Sequence, residues 1–502
     1  MAYENRRKLH LSLVIVGFIF GILFMSISIW AGNNVEKIME RVISSKAVIK
    51  EGSETFKNWE NSSVEIFFKV YVYNLTNAEK VLSGEDPHYK EIGPYIYIEK
   101  RIKEFYQFGQ NGEDLKYLER RYFYFDKAQS RNDPHSDMVT QINLSLNTVC
   151  HNPMGIAEKI ALRFLNENLF KTMPVHDYLW GYLDPLIELS GKGNQSGIFL
   201  GMNGTLGDPT TINTGLYDIS LIGSIIESNG KSEMDAWTTY EANMINGTDG
   251  SMFSPGLSRD NPVYVFASDV CRSFKLIFSK SVRADNDDRI ELLEYIGDPN
   301  QSLNATVNPD NLGFCVKDPI GPKCPLAGLM DLSKCRGQDS IRVPLYASQP
   351  RFYQTDPQVT QRLKGIIPPS DDVQTILQIH QPTGLPLQVA KRLQMNMYVK
   401  PNPDFEKFYK SMSGEYYLPL TWIEESAKAN SDILQMIYNR VNGGRDKLLT
   451  AVYIILSFSV FAIVTSLAFT IYLFCFNKRK YYNEDEMMNS DDGQHLFQQN
   501  DQ

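Results

Sequence analysis

The sequence predicts a mixed, β-rich domain that lies outside the membrane and is enclosed by two terminal transmembrane helices. Two long stretches without charged residues lie near the ends of the 502-residue chain, and runs of β-branched and aromatic residues recur between them. The composition, 43% hydrophobic and 22% charged, is that of a folded chain rather than a disordered or fibrous one. The net charge of -9 argues against a nucleic-acid-binding protein, which would need a basic surface.

The first uncharged stretch, residues 11–30, has the length of a membrane-spanning helix. At 1.5 Å per residue it would form a helix of about 30 Å, which matches the hydrocarbon core of a bilayer. The second stretch, residues 448–476, would reach about 43 Å and would span a bilayer with tilt or overhang. A cleaved signal peptide is the alternative for the first stretch, but the apolar run exceeds the usual length of about 7–15 residues and no small-x-small cleavage site follows it.

Basic residues at the outer ends of both stretches predict the orientation of the chain. Residues 6–8 are Arg-Arg-Lys, and residues 478–480 are Lys-Arg-Lys. Under the positive-inside rule both termini are cytosolic, so residues 1–10 and 477–502 are cytosolic tails. Residues 31–447 then form an ectodomain that faces the exterior or an organelle lumen. We expect such a protein in the lysosomal or endosomal membrane or in the plasma membrane.

N-glycosylation sequons agree with this topology. The triplet Asn-x-Ser/Thr occurs eight times within residues 31–447, and neither tail contains it. The ectodomain is therefore predicted to be glycosylated. The predicted sites are Asn61, Asn74, Asn143, Asn194, Asn203, Asn246, Asn300 and Asn304.

Four of the six cysteines lie within 65 residues of the ectodomain. An oxidising compartment favours disulfides, for which the spacing alone allows three pairings. A zinc site is the alternative, but no CxxC pair and no nearby histidine supports it. Cys150 would remain as a buried thiol, and Cys475 lies at the cytosolic end of the second apolar stretch, where S-palmitoylation is a candidate modification. The four clustered residues are Cys271, Cys315, Cys324 and Cys335.

Period-two patterns predict several strands. Residues 64–73 are β-branched and aromatic, and residues 96–108 and 115–125 flank an Asn111-Gly112 step that favours a tight hairpin turn. A later strand is predicted to be half-buried, because its apolar residues share one face and its polar residues the other. The apolar face carries Leu387, Val389, Leu393, Met395, Met397 and Val399, interrupted by Lys391, and the polar face carries Gln388, Arg392, Gln394 and Asn396.

Residues 150–189 differ, because their apolar residues recur at helical spacing. Asn152-Pro153 resembles a helix N-cap followed by proline in the first turn, and a second short helix is predicted after Pro174. A stripe formed by Ile156, Ile160 and Phe164 is typical of ordinary core packing.

No residue pattern indicates an enzyme or a cofactor. The sequence has no GxSxG, HExxH, phosphate-binding loop or DxDxDG calcium loop, and its seven histidines are scattered. We therefore expect a protein that is not an enzyme and that uses no metal or other cofactor.

Seven short motifs occur in a fixed order along the ectodomain. They are Gly-Pro-Tyr at 93–95, Leu-Trp-Gly-Tyr at 179–182, Met-Ile-Asn-Gly-Thr-Asp at 244–249, Ser-Asp-Val-Cys-Arg-Ser at 268–273, Gly-Phe-Cys at 313–315, Pro-Thr-Gly at 382–384 and Ala-Lys-Arg-Leu-Gln at 390–394. The ordered set resembles the class B scavenger receptor family, which includes fatty-acid and lipoprotein scavengers and a lysosomal integral membrane protein. The resemblance covers nearly the whole chain and is closer to the lysosomal branch.

The resemblance implies a large antiparallel β-barrel crossed by a lipid-accommodating tunnel, with an apical α-helical bundle formed by residues 150–189. The alternative is a barrel whose interior is solidly filled by side chains.

The resemblance also implies a disulfide pattern. It pairs Cys271 with Cys335 and Cys315 with Cys324. A third disulfide of some members is missing here, and its two positions are occupied by Ala242 and Gly313.

Candidate ligand-binding residues lie in and beside the helical segment. Lys159, Arg163 and Lys171 would form a basic patch for anionic lipoproteins or modified lipids, with a solvated helix face as the alternative. His151 and His176 would gain charge as a compartment acidifies toward about pH 5, which predicts pH-dependent release of a ligand. Surface histidines without a role are the alternative.

These features together predict a scavenger-type membrane receptor. Its expected partners are lipids (fatty acids, sterols or phospholipids) or lipoprotein-like particles, and lipid would pass through the tunnel to the membrane. The alternative is a lysosomal trafficking receptor that binds a lumenal enzyme through the apical helices. Formation of a homo-oligomer is a further hypothesis. In the C-terminal tail, Asp492, Leu496 and Phe497 approximate an acidic dileucine sorting signal, with phenylalanine in place of an aliphatic residue.

Overall fold

The computed structural model describes residues 2–191, 193–316, 320–336 and 341–495, and gives the backbone alone for residues 2–7, 157, 158, 161 and 476–495. The chain divides into two compact units, one within residues 1–42 and 436–502 and the other formed by residues 43–435. The helices are α1 (Ala2–Asn33), α2 (Val35–Ala47), α3 (Glu54–Glu60), α4 (Ala78–Val81), α5 (Leu144–His151), α6 (Ile156–Phe164), α7 (Val175–Trp180), α8 (Pro185–Leu189), α9 (Tyr240–Asn243), α10 (Pro357–Thr360), α11 (Glu406–Tyr409) and α12 (Ser431–His495).

Most of the described strands belong to one sheet of the second unit, and the others form two two-stranded sheets. They are β1 (Ile66–Leu75), β2 (Tyr89–Phe108), β3 (Asp114–Phe125), β4 (Met138–Ile142), β5 (Phe170–Pro174), β6 (Tyr182–Leu183), β7 (Gln195–Ser196), β8 (Thr210–Asn213), β9 (Ile225–Ser228), β10 (Val263–Ala267), β11 (Arg272–Ala284), β12 (Asp287–Gly297), β13 (Met330–Asp331), β14 (Leu345–Ser348), β15 (Ile376–His380), β16 (Leu385–Val399) and β17 (Tyr416–Lys428).

The first unit contains two long apolar helices and the start of α2. The segments Lys8–Asn33 of α1 and Ser431–Cys475 of α12 are long and apolar enough to cross a bilayer, and they contain the predicted spans 11–30 and 448–476. The helices pack closely at a glycine, because a Cβ built on Gly21 would lie 2.7 Å from Cγ1 of Ile463 and 3.2 Å from the carbonyl oxygen of Ser459. Small residues allow such close packing of apolar helices.

The main sheet is antiparallel and has 13 strands. Its path runs β10-β11-β12-β15-β16-β17-β1-β2-β3-β8-β9, with β14 paired to β16 and β13 to β14. The predicted hairpin is present as β2 and β3. Gly112 lies in its turn with a φ of +69°, a conformation that glycine adopts without steric cost.

The first and last strands of the sheet in sequence are neighbours. β1 pairs with β17 from Ile66↔Ala427 to Val72↔Thr421, and an ion pair of 2.7 Å between Lys69 and Glu424 spans the two strands. The strand that follows the N-terminal helices therefore lies beside the strand that precedes α12.

A short irregular segment links β9 and β10, the two ends of the strand path. The amide of Ile225 donates to the carbonyl of Gly247 (2.8 Å), the amide of Thr248 to that of Tyr264 (3.2 Å), and the amide of Phe266 to that of Thr248 (2.9 Å). The motif at 244–249 therefore joins the two edges of a nearly closed sheet. We call residues 247–248 the seam.

The interpretation of β16 as a half-buried strand with a polar outer face is wrong at two residues. Gln394 and Asn396 have no exposed surface. Gln394 accepts a hydrogen bond from the Tyr73 hydroxyl (2.8 Å) and donates one to Asn396 (2.7 Å), which donates to Ser348 of β14 (3.0 Å). The side chains of Tyr73 and Ser348 cover this face of β16, and such long-range contacts are not revealed by alternation along one strand.

Residues 150–189 contain strands as well as helices. The helix predicted to start at Pro153 starts at Ile156 after Gly155, and Asn152 instead follows the end of α5. A helix does follow Pro174, but residues 170–174 form β5, which pairs with β4. The segment is therefore not purely helical, since pairing with a strand outside it overrides its helical periodicity.

Candidate functional site: a cavity enclosed by the sheet

The main sheet encloses a cavity of about 340 Å³. The cavity is lined by strands from both halves of the sheet path and by the loop at residues 328–330. Leu387, Val389 and Leu393 on the apolar face of β16 line it, together with Lys391, whereas Met397 and Val399 farther along that face pack in the hydrophobic core. Apolar lining residues include Val265, Phe274, Leu276, Leu377, Val389 and Leu393.

Four cations that line the cavity are paired with carboxylates. The pairs are Arg101 with Glu99 (2.7 Å) and with Glu425 (2.5 Å), Lys103 with Glu119 (3.7 Å), Lys391 with Asp269 (3.8 Å) and Arg392 with Glu424 (2.7 Å). Because each charge is offset locally, this part of the wall is polar but close to neutral.

The cations hold the neighbouring carboxylates ionised. Burial raises the pKa of Asp269, but Lys391 and Arg121 outweigh this effect and bring the pKa to about 2. Burial likewise raises the pKa of Glu119, but Arg101, Lys103 and Arg121 together outweigh this effect, so that this pKa is also about 2. The pairs of Asp269 and Glu119 therefore persist from neutral to lysosomal pH, whereas burial raises the pKa of Glu99.

These charged residues were not among the site residues predicted from the sequence. A signal was present, because Glu99, Arg101 and Lys103 alternate along β2 and so share one face of the strand, as do Glu119 and Arg121 of β3. The signal was ambiguous, since alternating charges are equally typical of a solvated strand face.

The predicted basic patch is largely neutralised. Lys159 forms an ion pair with Asp404, and Arg163 donates two hydrogen bonds to the backbone carbonyl of the same residue (2.7 and 3.2 Å). Lys171 pairs with Glu167 at 2.6 Å. Two of the three cations are therefore paired with a carboxylate, whereas Arg163 is bonded to a neutral carbonyl group.

His151 and His176 occupy different environments. Nδ1 of His151 lies 2.7 Å from the carbonyl oxygen of Asn147, and its Nε2 accepts a hydrogen bond from the amide of Lys400 (3.2 Å), an arrangement that requires a neutral ring. Burial lowers the pKa of His151. His176 stacks on His135 with a ring-centroid distance of 4.0 Å, beside a second, aromatic-lined cavity of about 320 Å³.

The apolar stripe of α6 is exposed. The exposed fractions of Ile156, Ile160 and Phe164 are 80%, 49% and 85%, whereas Leu162 is buried. The interpretation of the stripe as core packing is therefore wrong, since the opposite face of the helix faces the core. We call these three residues the α6 stripe.

Two disulfides are present. They join Cys271 to Cys335 and Cys315 to Cys324, the pairs that the family resemblance implies. Cys150 is a buried free thiol, and Cys475 is free and exposed.

The sequons differ in accessibility. Asn143 has no exposed surface, accepts a hydrogen bond from the amide of Leu146 (3.1 Å) as the N-cap of α5, and donates to Glu167 (2.9 Å). Asn74 and Asn304 are half-buried. The exposed sequon residues are Asn61, Asn194, Asn203, Asn246 and Asn300.

The predicted sorting signal is not described at the level of side chains. Asp492 lies in α12, where the backbone alone is given, and Leu496 and Phe497 lie outside the described residues.

Comparisons with known proteins place the chain among membrane proteins. The sequence model of the CD36 family matches residues 15–471. Lysosome membrane protein 2 of Homo sapiens is 32% identical over 453 residues, which cover 88% of this chain and 91% of the relative, and that of Rattus norvegicus is 31% identical over 454 residues with the same coverage. Scavenger receptor class B member 1 of Bos taurus is 28% identical over 437 residues, which cover 84% of this chain and 82% of the relative.

Proposed function

This chain belongs to the CD36 family, and we propose that it is a scavenger-type membrane receptor that binds lipids or lipid-bearing particles and passes lipid through its ectodomain to the membrane. The observation that carries the proposal is the apolar-lined cavity of about 340 Å³ inside the sheet. The match to scavenger receptor class B member 1 of Bos taurus supports the same class of receptor.

The cavity suits a hydrocarbon chain on energetic grounds. Transfer of an alkyl chain out of water is worth about 0.8 kcal/mol per CH₂. A cavity lined by Leu276, Val389 and Leu393 offers such a chain an environment from which water can be displaced at little cost.

We further propose that both apolar helices span the bilayer and that both termini are cytosolic. The basic residues at 6–8 and 478–480 support this orientation, as does the placement of all eight sequons between the helices. Protease protection of epitope tags on the two ends in sealed microsomes tests it. Digestion of one tag and protection of the other would refute it.

Lipid analysis of the purified full-length protein tests the main proposal. We expect acyl chains or sterol to co-purify and to be recovered by extraction and mass spectrometry. Leu393→Trp, which fills the cavity, should reduce the recovered lipid several-fold. Leu385→Trp is the matched control, because Leu385 lies on the same strand and is 37% exposed. Lipid-free wild-type protein, or equal recovery from both variants, would contradict the proposal.

A second candidate function is a lysosomal trafficking receptor that binds a lumenal enzyme through the apical helices. The α6 stripe supports it, because an exposed apolar surface often marks a protein-binding site, and so do the matches to lysosome membrane protein 2. We expect a stoichiometric lumenal protein to co-purify with the wild type and to be lost in Ile160→Ser/Phe164→Ser. Tyr217→Ser is the control, since Tyr217 is 69% exposed elsewhere on the ectodomain.

We propose residence in lysosomes or endosomes, directed by Asp492, Leu496 and Phe497, with the plasma membrane as the alternative. Imaging of tagged wild type and Leu496→Ala decides between them. The variant should accumulate at the cell surface, and unchanged surface levels would argue against sorting by this tail. Acyl exchange on Cys475→Ser and wild type tests S-palmitoylation in the same cells.

A further inference from the structure

A fifth cation, Arg272, lines the cavity and is held differently from the other four. It is the first residue of β11 and follows the disulfide-bonded Cys271. Its side chain reaches the cavity wall beside Phe274 and Gln301, and only 6% of the residue is exposed.

Among the described residues, no carboxylate forms an ion pair with Arg272. Burial lowers the pKa of Arg272 to about 10, and no charged neighbour contributes to this shift. The guanidinium group therefore keeps its positive charge from pH 5 to pH 8. An isolated buried charge is costly, so proteins usually pair such charges or use them.

The packing around Arg272 leaves part of the guanidinium group unused. Its Cζ lies 3.6 Å from the centroid of the Phe314 ring, which covers one face of the group. Nη2 donates to the carbonyl oxygen of Gln301 (3.1 Å), whereas the buried Nε–H has no hydrogen-bond partner among the described residues. The guanidinium group is thus held in place, and its Nε–H remains able to donate a hydrogen bond.

We propose that Arg272 binds the anionic head group of an amphiphilic lipid whose hydrocarbon chain lies in the cavity. The inference rests on the proposed lipid-binding function and adds a chemical class to it. A carboxylate or a phosphate would supply both the missing charge and the acceptor for the free N–H, and guanidinium groups bind both anions well. Neutral lipids such as sterols and fatty alcohols lack this interaction.

Binding to the delipidated full-length wild type is the first test. The probes are oleate, oleoyl lysophosphatidate and oleyl alcohol, which present the same chain with a carboxylate, a phosphate and a neutral hydroxyl group. We expect at least one of the two anions to bind at least about tenfold more tightly than the alcohol, because a hydrogen bond to a charged group is worth that much or more. The preferred anion identifies the head group.

Substitution of Arg272 is the second test. Arg272→Gln should weaken binding of the preferred anion by about 10- to 100-fold and leave oleyl alcohol within about twofold. Arg272→Lys should retain part of the preference. Arg283→Gln removes an exposed cation of the same strand that does not line the cavity, and should leave the binding of the anion and of the alcohol unchanged. Without lipid, Arg272→Gln should unfold at a temperature close to that of the wild type, because removal of an unpaired buried charge offsets the lost contacts with Phe314 and Gln301.

The outcomes separate this inference from the function on which it rests. If none of the three probes binds the wild type, the proposed lipid-binding function itself is wrong. If the wild type binds the alcohol as tightly as both anions, or if Arg272→Gln weakens all three equally, the cavity still binds lipid but Arg272 does not bind the head group. The comparison of the two anions with the alcohol on the wild type tests the inference even if a variant does not fold.

Discussion

Ala242 and Gly313 are in direct contact, since a Cβ atom built on Gly313 would lie 2.7 Å from the Cβ of Ala242. Ala242 lies in α9, and Gly313 lies in a helical turn at residues 309–314. These are the two positions at which the family resemblance places a disulfide that this chain lacks. The fold therefore keeps the juxtaposition without the covalent bond.

We expect Ala242→Cys/Gly313→Cys to form a third disulfide. The Cβ atoms of disulfides are separated by about 3.8 Å, so a backbone shift of about 1 Å suffices. Loop closure would stabilise the folded state by about 4 kcal/mol at most, less any strain. Mass spectrometry of non-reduced peptides and thermal unfolding with and without reductant measure both effects. Two free thiols after oxidation would show that the contact is not maintained.

Gly247→Ala should destabilise the unit formed by residues 43–435 by about 2 kcal/mol or more. Gly247 has a φ of +88°, and a Cβ on it would lie 2.0 Å from the carbonyl oxygen of Tyr264 across the seam. Gly230→Ala is the matched control, because Gly230 has a φ of +73° but open space around its Cβ position. The difference between the melting temperatures of the two variants measures the effect of the close contact with Tyr264 alone. Equal melting temperatures would refute a role for the seam.

His380→Gln should make the protein less sensitive to acid. Burial lowers the pKa of His380 from 6.5 to about 4, so the unfolded chain takes up a proton first as the pH falls. This group therefore contributes stability that is present above pH 6.5 and is lost as the pH falls toward 4, by about 2 kcal/mol at pH 5.

Thermal unfolding at pH 7 and pH 5 measures this prediction. The fall in melting temperature between the two pH values should be smaller for His380→Gln than for wild type, whereas His88→Gln, at an exposed histidine, should behave as wild type. An unchanged fall in His380→Gln would contradict the assignment.

We expect Asn143 to carry no glycan, although its triplet is a sequon. Its amide group donates to Glu167 in a site with no exposed surface, and a glycan there would prevent α5 from docking. Asn246 and Asn300 are exposed and should be occupied. Glycopeptide mass spectrometry measures the occupancy of each site, and a fully occupied Asn143 would show that α5 packs differently.

The sequence predicts those parts of the fold that local patterns determine. The hairpin of β2 and β3 follows from the Asn111-Gly112 step, and α7 begins immediately after Pro174, as expected. Both depend on the backbone preferences of a few adjacent residues, which a single sequence displays directly.

The sequence does not reveal which faces are covered by distant segments. Helical spacing in residues 156–164 predicts α6, but only contacts with residues such as Asp404 show that Ile156 and Phe164 face away from the core. For the same reason, the sequence did not reveal which residues line the cavity. In the sequence, Arg272 cannot be distinguished from a surface arginine. Only the fold shows that it is buried without a carboxylate partner.

The pairing of β1 with β17 has a consequence for biosynthesis. Lys69 and Glu424, which meet across these strands, are 355 residues apart, so β1 leaves the ribosome about 20–70 s before its partner is made. During that interval one edge of an aromatic, β-branched strand has no neighbour, a state prone to aggregation. Completion of the sheet must therefore wait for translation of its last strand, and the nascent chain should depend on chaperones until that strand is made.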